Sequence, residues 1–265
     1  MTGTVEPAAR RASRLHRIAD LVLAEGSISA NQLAERFEVS LMTVHRDLDE
    51  LARQGVVRKF RGGVSAQPSN VFEANIRYRM QVNREIKVAL ATYARTLIEP
   101  GMAVLLDDST TTLELARQLD GVSPLTVITN SRPVAEIVRQ DGDHRLIVLG
   151  GEYSETHDSY LGMMCNEMID TLRADILIAS TSAMTAGEVF HQEPDIVLIK
   201  RAMMRSATKR VLLMDHSKLG RTALHSIAPT KDFDLIVVDR SADPEFLSAV
   251  RDSGGRVEIV TVGAS

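Results

Sequence analysis

The spacing of apolar positions changes along the chain, and the changes divide it. Over the first stretch the period is helical. Leu15, Ile18, Ala19 and Val22 make a stripe that stops at Gly26, and Leu33 and Phe37 stand four apart in ANQLAERF behind a capping Ser29. Val44, Leu48 and Leu51 fall at i, i+4 and i+7 behind a second capping serine, Ser40. Three short helices, the last two separated by the tight turn EVS, form the layout of a helix-turn-helix. GVVRKFRGGVSA follows, with Val56 and Val57 opening like a strand and Gly62-Gly63 at a turn, and reads as a β-wing.

SAQPSN, residues 65–70, is a polar break containing proline. Beyond it FEANIRYRMQVNREIKVALATYARTLI reads as one or two helices, with Ile86, Leu90, Tyr93 and Leu97 along an apolar face. From residue 102 the apolar runs AVLLDD, LTVITN, RLIVLGG, DILIAS, RVLLMD and LIVVD are separated by helical patterns such as TTLELARQL and RPVAEIVRQ. Strand and helix alternating at these lengths predict a mostly parallel sheet covered on both faces. The expected fold class is α/β: an N-terminal winged helix-turn-helix domain over 1–66 with its core at 14–64, a linker with connecting helices over 67–100, and a Rossmann-like, mostly parallel α/β sensor domain over 101–265.

Charge sharpens this division. Residues 1–66 carry ten Lys/Arg against eight Asp/Glu, a balance of +2, whereas residues 67–265 carry 21 against 27, a balance of −6. A small head suited to phosphate is joined to an acidic body that is not. No apolar run approaches the roughly 20 residues that span a bilayer, and MTGTVEPAARRASR lacks the apolar region of a signal peptide. No membrane partner is expected, and a cytoplasmic location is. The single cysteine, Cys165, excludes an internal disulfide and reads as a small core residue. His144, His157, His191, His216 and His225 lack ligand spacing, so neither a metal nor a cofactor is expected. His191 near Glu193, and His216 beside Lys218, are instead placed to hydrogen-bond a ligand.

VSLMTVHRDLDEL poses the first chemical question, because its apolar face leaves Leu41, Met42, Thr43, His45 and Arg46 on the other sides of the helix. In isolation this is an ordinary solvated face. As the second helix of a helix-turn-helix it projects its first residues into the major groove, where arginine pairs with guanine and threonine meets a thymine methyl or a phosphate. Arg58, Lys59 and Arg61 in the wing suit backbone phosphate or the minor groove. The DNA-binding candidates are therefore Ser40, Met42, Thr43, His45, Arg46, Arg58, Lys59 and Arg61. A single winged head makes few base contacts, so a homo-oligomer, dimer or tetramer, reading repeated half-sites is expected.

In parallel sheets ligands bind beyond the carboxyl ends of the strands. Here those positions hold Asp107-Asp108-Ser109-Thr110-Thr111-Thr112, Thr129-Asn130-Ser131, Gly150-Gly151, Ser180-Thr181-Ser182 and Asp215 to Lys218. Hydroxyls, an amide, glycines and a lysine suit a polyhydroxylated anion, with DDSTTT nearest its phosphate if a helix opens at Ser109–Thr112. Each has a plainer reading: Thr111 and Glu114 fit a capping box, Gly150-Gly151 a turn, Lys218 a surface cation.

SANQLAERFEVSLMTVHRDLDELARQGVVRKFRGGVSA resembles, without a gap, the winged helix-turn-helix of the DeoR-type bacterial regulators of sugar metabolism. The family has two arginines before the Asp-Leu, where this chain has His45-Arg46, a departure expected to alter phosphate affinity or the base read. A family R…EK signature is present, partly spread, as Arg79, Glu85, Ile86 and Lys87. LDDSTTT, TNS, LGG, SYLG and DHSK follow in the order of the family's sensor domain, which looks like a sugar-phosphate isomerase fold. The resemblance implies operator DNA as one partner and a phosphorylated sugar or pathway intermediate as effector, held by Asp107, Ser109, Thr110, Thr111, Thr112, Asn130, Ser131, Gly150, Gly151 and Lys218. It implies a repressor of a carbohydrate operon and no catalysis. Ser109 replaces a family glycine, and STSAMTAGEVFHQE is unlike the glycine-rich family segment, so the ligand is expected to be retuned. The alternative is an isomerase-like enzyme with an accessory head, using Asp107, Asp108, Asp215 and Lys218 as acid, base and electrostatic groups. A body that only oligomerises is a third reading.

Overall fold

The computed structural model describes residues 7–66 and 76–262, and the chain divides into two compact units, 1–82 and 83–265. The expected break at 65–70 runs out of a strand into residues 67–70, which lie outside the described residues, as do residues 71–75 of the expected connecting helices.

The first unit contains α1 (Pro7–Glu25), β1 (Ser27–Ser29), α2 (Ala30–Phe37), α3 (Leu41–Arg53), β2 (Val57–Phe60), β3 (Gly63–Ala66) and α4 (Ile76–Gln81). Ser29 caps α2 in a full capping box with Gln32, and Glu38, at φ 51°, ends that helix in a left-handed cap. Ile18, Ala19, Val22, Leu33, Val44, Leu48 and Leu51 close into one core with Val56, Val57 and Val64. These are the positions that the helical spacing selects. The wing is larger than the sequence suggests: β1 pairs with β3, giving the order β1-β3-β2. Three residues with a single isoleucine carry no readable alternation. The two wing glycines serve different ends. Gly62 turns at φ 92°, whereas a Cβ on Gly63 would meet the carbonyl oxygen of Ile28 at 2.5 Å, so β1 can approach β3 only there.

The second unit opens with α5 (Arg84–Arg95) and builds its main sheet from β4 (Ala103–Leu106), β5 (Thr126–Thr129), β6 (Arg145–Val148), β9 (Ala174–Ala179), β12 (Ala207–Met214), β14 (Leu235–Asp239) and β15 (Val257–Val260). All pairings are parallel, in the order β15-β14-β12-β9-β4-β5-β6. Between them lie α6 (Thr110–Ala116), α7 (Arg132–Asp141), the hairpin β7 (Glu152–Ser154) and β8 (Ser159–Leu161), α8 (Met163–Asp170), α9 (Pro194–Ser206) and α10 (Pro244–Asp252). A small antiparallel sheet joins β10 (Ala183–Met184), β11 (Glu188–His191) and β13 (His225–Pro229). The six expected runs are all strands. The seventh, β15, escaped because Glu258 and Ile259 leave an edge strand half solvated.

The chain winds outward from β4 to β6, then returns to β9 and winds the other way to β15. Right-handed crossovers running in opposite directions put α6 and α7 on one face and α9 on the other. α5 packs with α6, and α8 with α9. The expected apolar face of α5 is rotated from the observed one: Lys87, Leu90, Ala91 and Ala94 are buried, while Ile86 and Tyr93 are half-buried. A buried lysine occupies a place that a search for apolar spacing assigns to solvent.

Candidate DNA-reading face and strand-end site

In the first unit, the apolar side of α3 is sealed and its opposite side is bare. Val44, Leu48 and Leu51 are at most 1% exposed, whereas Met42 is 66% exposed and His45 and Arg46 are exposed as well. Ser40 accepts from the Thr43 N–H at 3.2 Å, and the two hydroxyls lie 2.9 Å apart. Ser40 therefore builds the helix start, and its hydroxyl also engages that of Thr43. Among the described residues Arg46, Arg58 and Arg61 form no ion pair, while Lys59 is paired with Asp49. Asp47, singled out by nothing in the apolar pattern, is buried and takes Arg11 and Arg14 of α1. Its signal was a carboxylate on the buried side of an amphipathic helix.

In the second unit the strand order reverses between β4 and β9, the point where such sheets leave a crevice. Asp107 closes that point as a scaffold. Its Oδ1 accepts from the Ser109 N–H at 3.1 Å and the Thr112 hydroxyl at 3.0 Å, and its Oδ2 accepts from the Ser180 N–H at 2.9 Å and from the Lys200 ammonium. Lys200 also donates to the Ser180 carbonyl at 2.8 Å. The ends of β4 and β9 are thus joined to α9 by a buried lysine, which pairs with Asp107 and lies 3.8 Å from Asp108 Oδ1. Sequence reasoning missed Lys200, although a lysine within the apolar run IVLIKRAMM was a usable signal.

The hydroxyls of DDSTTT divide into two sets. Ser109, not Thr111, is the N-cap of α6, accepting from the Thr112 N–H at 3.1 Å, so the Thr111–Glu114 capping box is not formed. Thr112 is 0% exposed and its hydroxyl is spent on Asp107 and Ser109. Thr110 and Thr111 make no such bonds among the described residues. Next to them, after β5, Asn130 donates to the Tyr160 carbonyl at 3.0 Å, while its Oδ1 is buried with no partner among the described residues. Ser131 caps α7. Ser159 in β8 donates to Asp108 Oδ2 at 2.9 Å, bringing the β7–β8 hairpin against the end of β4.

After β12, Lys218 reaches the Ser180 hydroxyl at 3.3 Å and stays partly exposed. It ends a 3-10 turn, His216–Lys218, capped by Asp215. Burial alone would raise the Asp215 carboxyl, but Lys218, Ser217, Lys87 and Asn83 together hold it below the ordinary aspartate value. His216 pairs with buried Asp239 at 2.9 Å. His191 accepts from the Glu193 N–H at 3.1 Å, and His157 lies 3.0 Å from the Glu193 carboxylate. The segment 180–193 forms β10 and β11, and Thr181 donates to the Phe190 carbonyl at 2.6 Å, folding it back toward the end of β9.

Gly150 and Gly151 follow the edge strand β6, away from the point of reversal. A Cβ on Gly151 would meet the Leu161 carbonyl oxygen at 2.3 Å, so its lack of a side chain serves the close approach to β8. Cys165 is buried beside this contact, and burial, with the charge of Asp108, pushes its thiol up to about 12. Among the described residues no cluster of His, Cys, Asp and Glu could hold a metal ion, and no helix is long and apolar enough to cross a membrane.

A winged helix-turn-helix unit followed by a separate α/β unit whose parallel sheet reverses order between β4 and β9 defines a DNA-binding transcriptional regulator with its own sensor domain. Residues 14–70 match the family model described as DeoR-like helix-turn-helix domain, and residues 82–240 match the DeoR C terminal sensor domain. The chain belongs to the DeoR family. It is 30% identical over 269 residues to a putative aga operon transcriptional repressor of Escherichia coli O157:H7, covering 99% of this chain and 96% of that one. It is 32% identical over 231 residues to the lactose phosphotransferase system repressor of Staphylococcus aureus (strain NCTC 8325 / PS 47), covering 85% and 91%. Among solved structures, ribose 5-phosphate isomerase A of Methanocaldococcus jannaschii aligns at TM-score 0.38 and 18% identity over 52% of this chain and 55% of that one, too slight a likeness to bear on activity.

Proposed function

We propose that the chain represses a carbohydrate operon, binding operator DNA through residues 1–66 and releasing it when a phosphorylated sugar or pathway intermediate binds the sensor domain at 101–265. Residues 67–100 carry the change between them. The observation that carries the effector reading is the sorting of polar groups at the strand ends: Ser109, Thr112 and Asp107 are committed to the scaffold, while among the described residues the Thr110 and Thr111 hydroxyls and the side-chain Oδ1 of Asn130 are not. Thr110, Thr111 and Lys218 hold the phosphate, and Asn130 accepts from a sugar hydroxyl. Relatives named as repressors of an aga operon and of a lactose phosphotransferase system support the carbohydrate assignment.

On the DNA side Met42, Thr43, His45 and Arg46 read bases, Ser40 orders the helix start, and Arg58, Lys59 and Arg61 hold phosphate. The acting species is a cytoplasmic dimer or tetramer, because one head contacts too few base pairs for operator selectivity. The enzyme reading is disfavoured by Asp107, whose two oxygens are already bonded to Lys200 and three further donors, which suits a strut rather than a base.

Thermal shift of the purified protein against a panel of phosphorylated and unphosphorylated sugars tests the effector assignment. A rise in Tm restricted to phosphorylated compounds is expected, and a rise only with free sugars, or with none, contradicts it.

A further inference from the structure

Asp47 is 1% exposed, and α1 supplies both of its partners: Arg11 donates from Nε to Oδ1 at 3.2 Å and Arg14 from Nε to Oδ2 at 2.6 Å. One carboxylate between two guanidinium groups leaves the triad with a net positive charge. The pairing uses only the Nε–H of each arginine, and a guanidinium carries further N–H donors on its Nη atoms. Among the described residues those Nη donors meet no acceptor. The Arg11 side chain is 49% exposed and that of Arg14 21%, so both reach solvent.

Both line an open concavity of about 530 Å³ between α1 and α3, which they share with Thr43 and Arg46. Asp49 and Glu50 line it too, but Asp49 is paired with Lys59, and Glu50 accepts from Arg53 at 2.6 Å and Gln54 at 2.5 Å. Arginine held at Nε presents its outer edge as a fork that fits phosphate oxygens.

We propose that Arg11 and Arg14, aimed by Asp47, form a backbone-phosphate clamp on the α1 side of the recognition helix, gripping the DNA strand that flanks the bases read by Thr43 and Arg46. This rests on the DNA-binding reading and adds contacts outside the recognition helix and wing. Such contacts carry no base information, so they act alike on every sequence. They also release counterions, so each sets part of the salt dependence.

The test is fluorescence anisotropy of the full chain on a labelled duplex of arbitrary sequence, from about 50 to 200 mM KCl, for wild type, Arg11→Ala and Arg14→Ala. Loss of one phosphate contact lowers the slope of log K against log salt by about 0.9, and the double variant doubles that fall. A structural role in neutralising Asp47 would lower thermal stability while leaving the slope of the folded protein unchanged. Arg11, the more exposed partner, is the variant that decides if Arg14→Ala fails to fold. Slopes equal to wild type in the folded variants overturn the clamp alone. A wild-type chain that binds no duplex at any salt overturns the clamp and the proposed function together.

Discussion

Asn83 donates its amide to Asp215 Oδ1 at 3.1 Å, tying the first residue of the sensor unit to the loop that ends in Lys218. The same amide lies 3.3 Å from the Ser217 hydroxyl, and Lys87, one turn into α5, adds its charge to the Asp215 site. The residue at which the chain enters the sensor is thus bonded to a segment of the proposed ligand site. A ligand that shifts the 215–218 loop must work against this bond or through it. Asn83 sits at φ 51°, so glycine removes the amide without penalising the backbone. Asn83→Gly is expected to retain operator and effector binding measured separately, but to shrink the effect of one on the other at least several-fold. Unchanged coupling, measured by anisotropy with and without effector, would remove Asn83 from the route.

The pH behaviour of this tether follows from the lowered Asp215 carboxyl. A depressed folded-state pKa contributes stability that is present above the unfolded value, about 4 for aspartate, and lost as pH falls through the folded one. Asp215 therefore stays ionised throughout pH 8 to 5. Asp215→Asn is expected to change Tm by a constant amount across that range, with the difference narrowing only below about pH 4. A difference that varied between pH 8 and 5 would assign the titration elsewhere.

Lys200 and Asp107 form a buried pair whose removal on one side leaves an uncompensated charge. Lys200→Met is expected to destabilise the sensor domain by about 3–5 kcal/mol, read as a lower urea midpoint. Asp107→Asn with Lys200→Met recovers much of this loss. A single substitution that cost less than about 1 kcal/mol would mean the pair is solvated in the folded protein.

Neighbouring threonines are expected to separate ligand contact from scaffold. Thr110→Ala is expected to weaken effector binding with Tm nearly unchanged in the absence of effector, because its hydroxyl has no internal partner among the described residues. Thr112→Val does the reverse: its buried hydroxyl bonds Asp107 and Ser109, so Tm falls by the equivalent of about 1–3 kcal/mol. Equal effects on both quantities from both variants would erase the distinction.

The Cys165 thiol, raised to about 12 by burial and by Asp108, is protonated at pH 8 and closed to solvent. A thiol reagent at pH 8 is expected to leave the native protein unlabelled over an hour and to label one thiol per chain in guanidinium chloride. Rapid labelling of the native protein would mean that α8 opens locally.

Much of this was legible because burial selects side chains by period. Val44, Leu48 and Leu51, and the parallel runs ending at Asp107, Asn130 and Asp215, are core positions whose spacing states their geometry. The short antiparallel pieces were not: β1, β7 and β10 are two or three residues long, too short to show an alternation, and β1 is defined only by its pairing with β3 about 35 residues on. Buried charges were hidden for the opposite reason. Asp47, Lys87 and Lys200 sit at core positions but carry residues that a polarity pattern sends to the surface, and only their partners explain them. The division of the DDSTTT hydroxyls depends on which serine or threonine caps α6, which sequence offers as two equal choices. Glycines at the wing and after β6 were visible, but the carbonyls they clear, on Ile28 and Leu161, were not.

Effector binding in the sensor domain is expected to lower operator affinity. Anisotropy of the full chain on a duplex from upstream of its own gene, titrated with a sugar phosphate that raises its Tm, tests it directly. DNA is expected to be released at effector concentrations that saturate the thermal shift, with Thr110→Ala requiring more effector and Arg46→Ala weakening DNA binding by about 1–3 kcal/mol without altering the effector's own affinity. Operator affinity unchanged by a compound that saturates the sensor would contradict it.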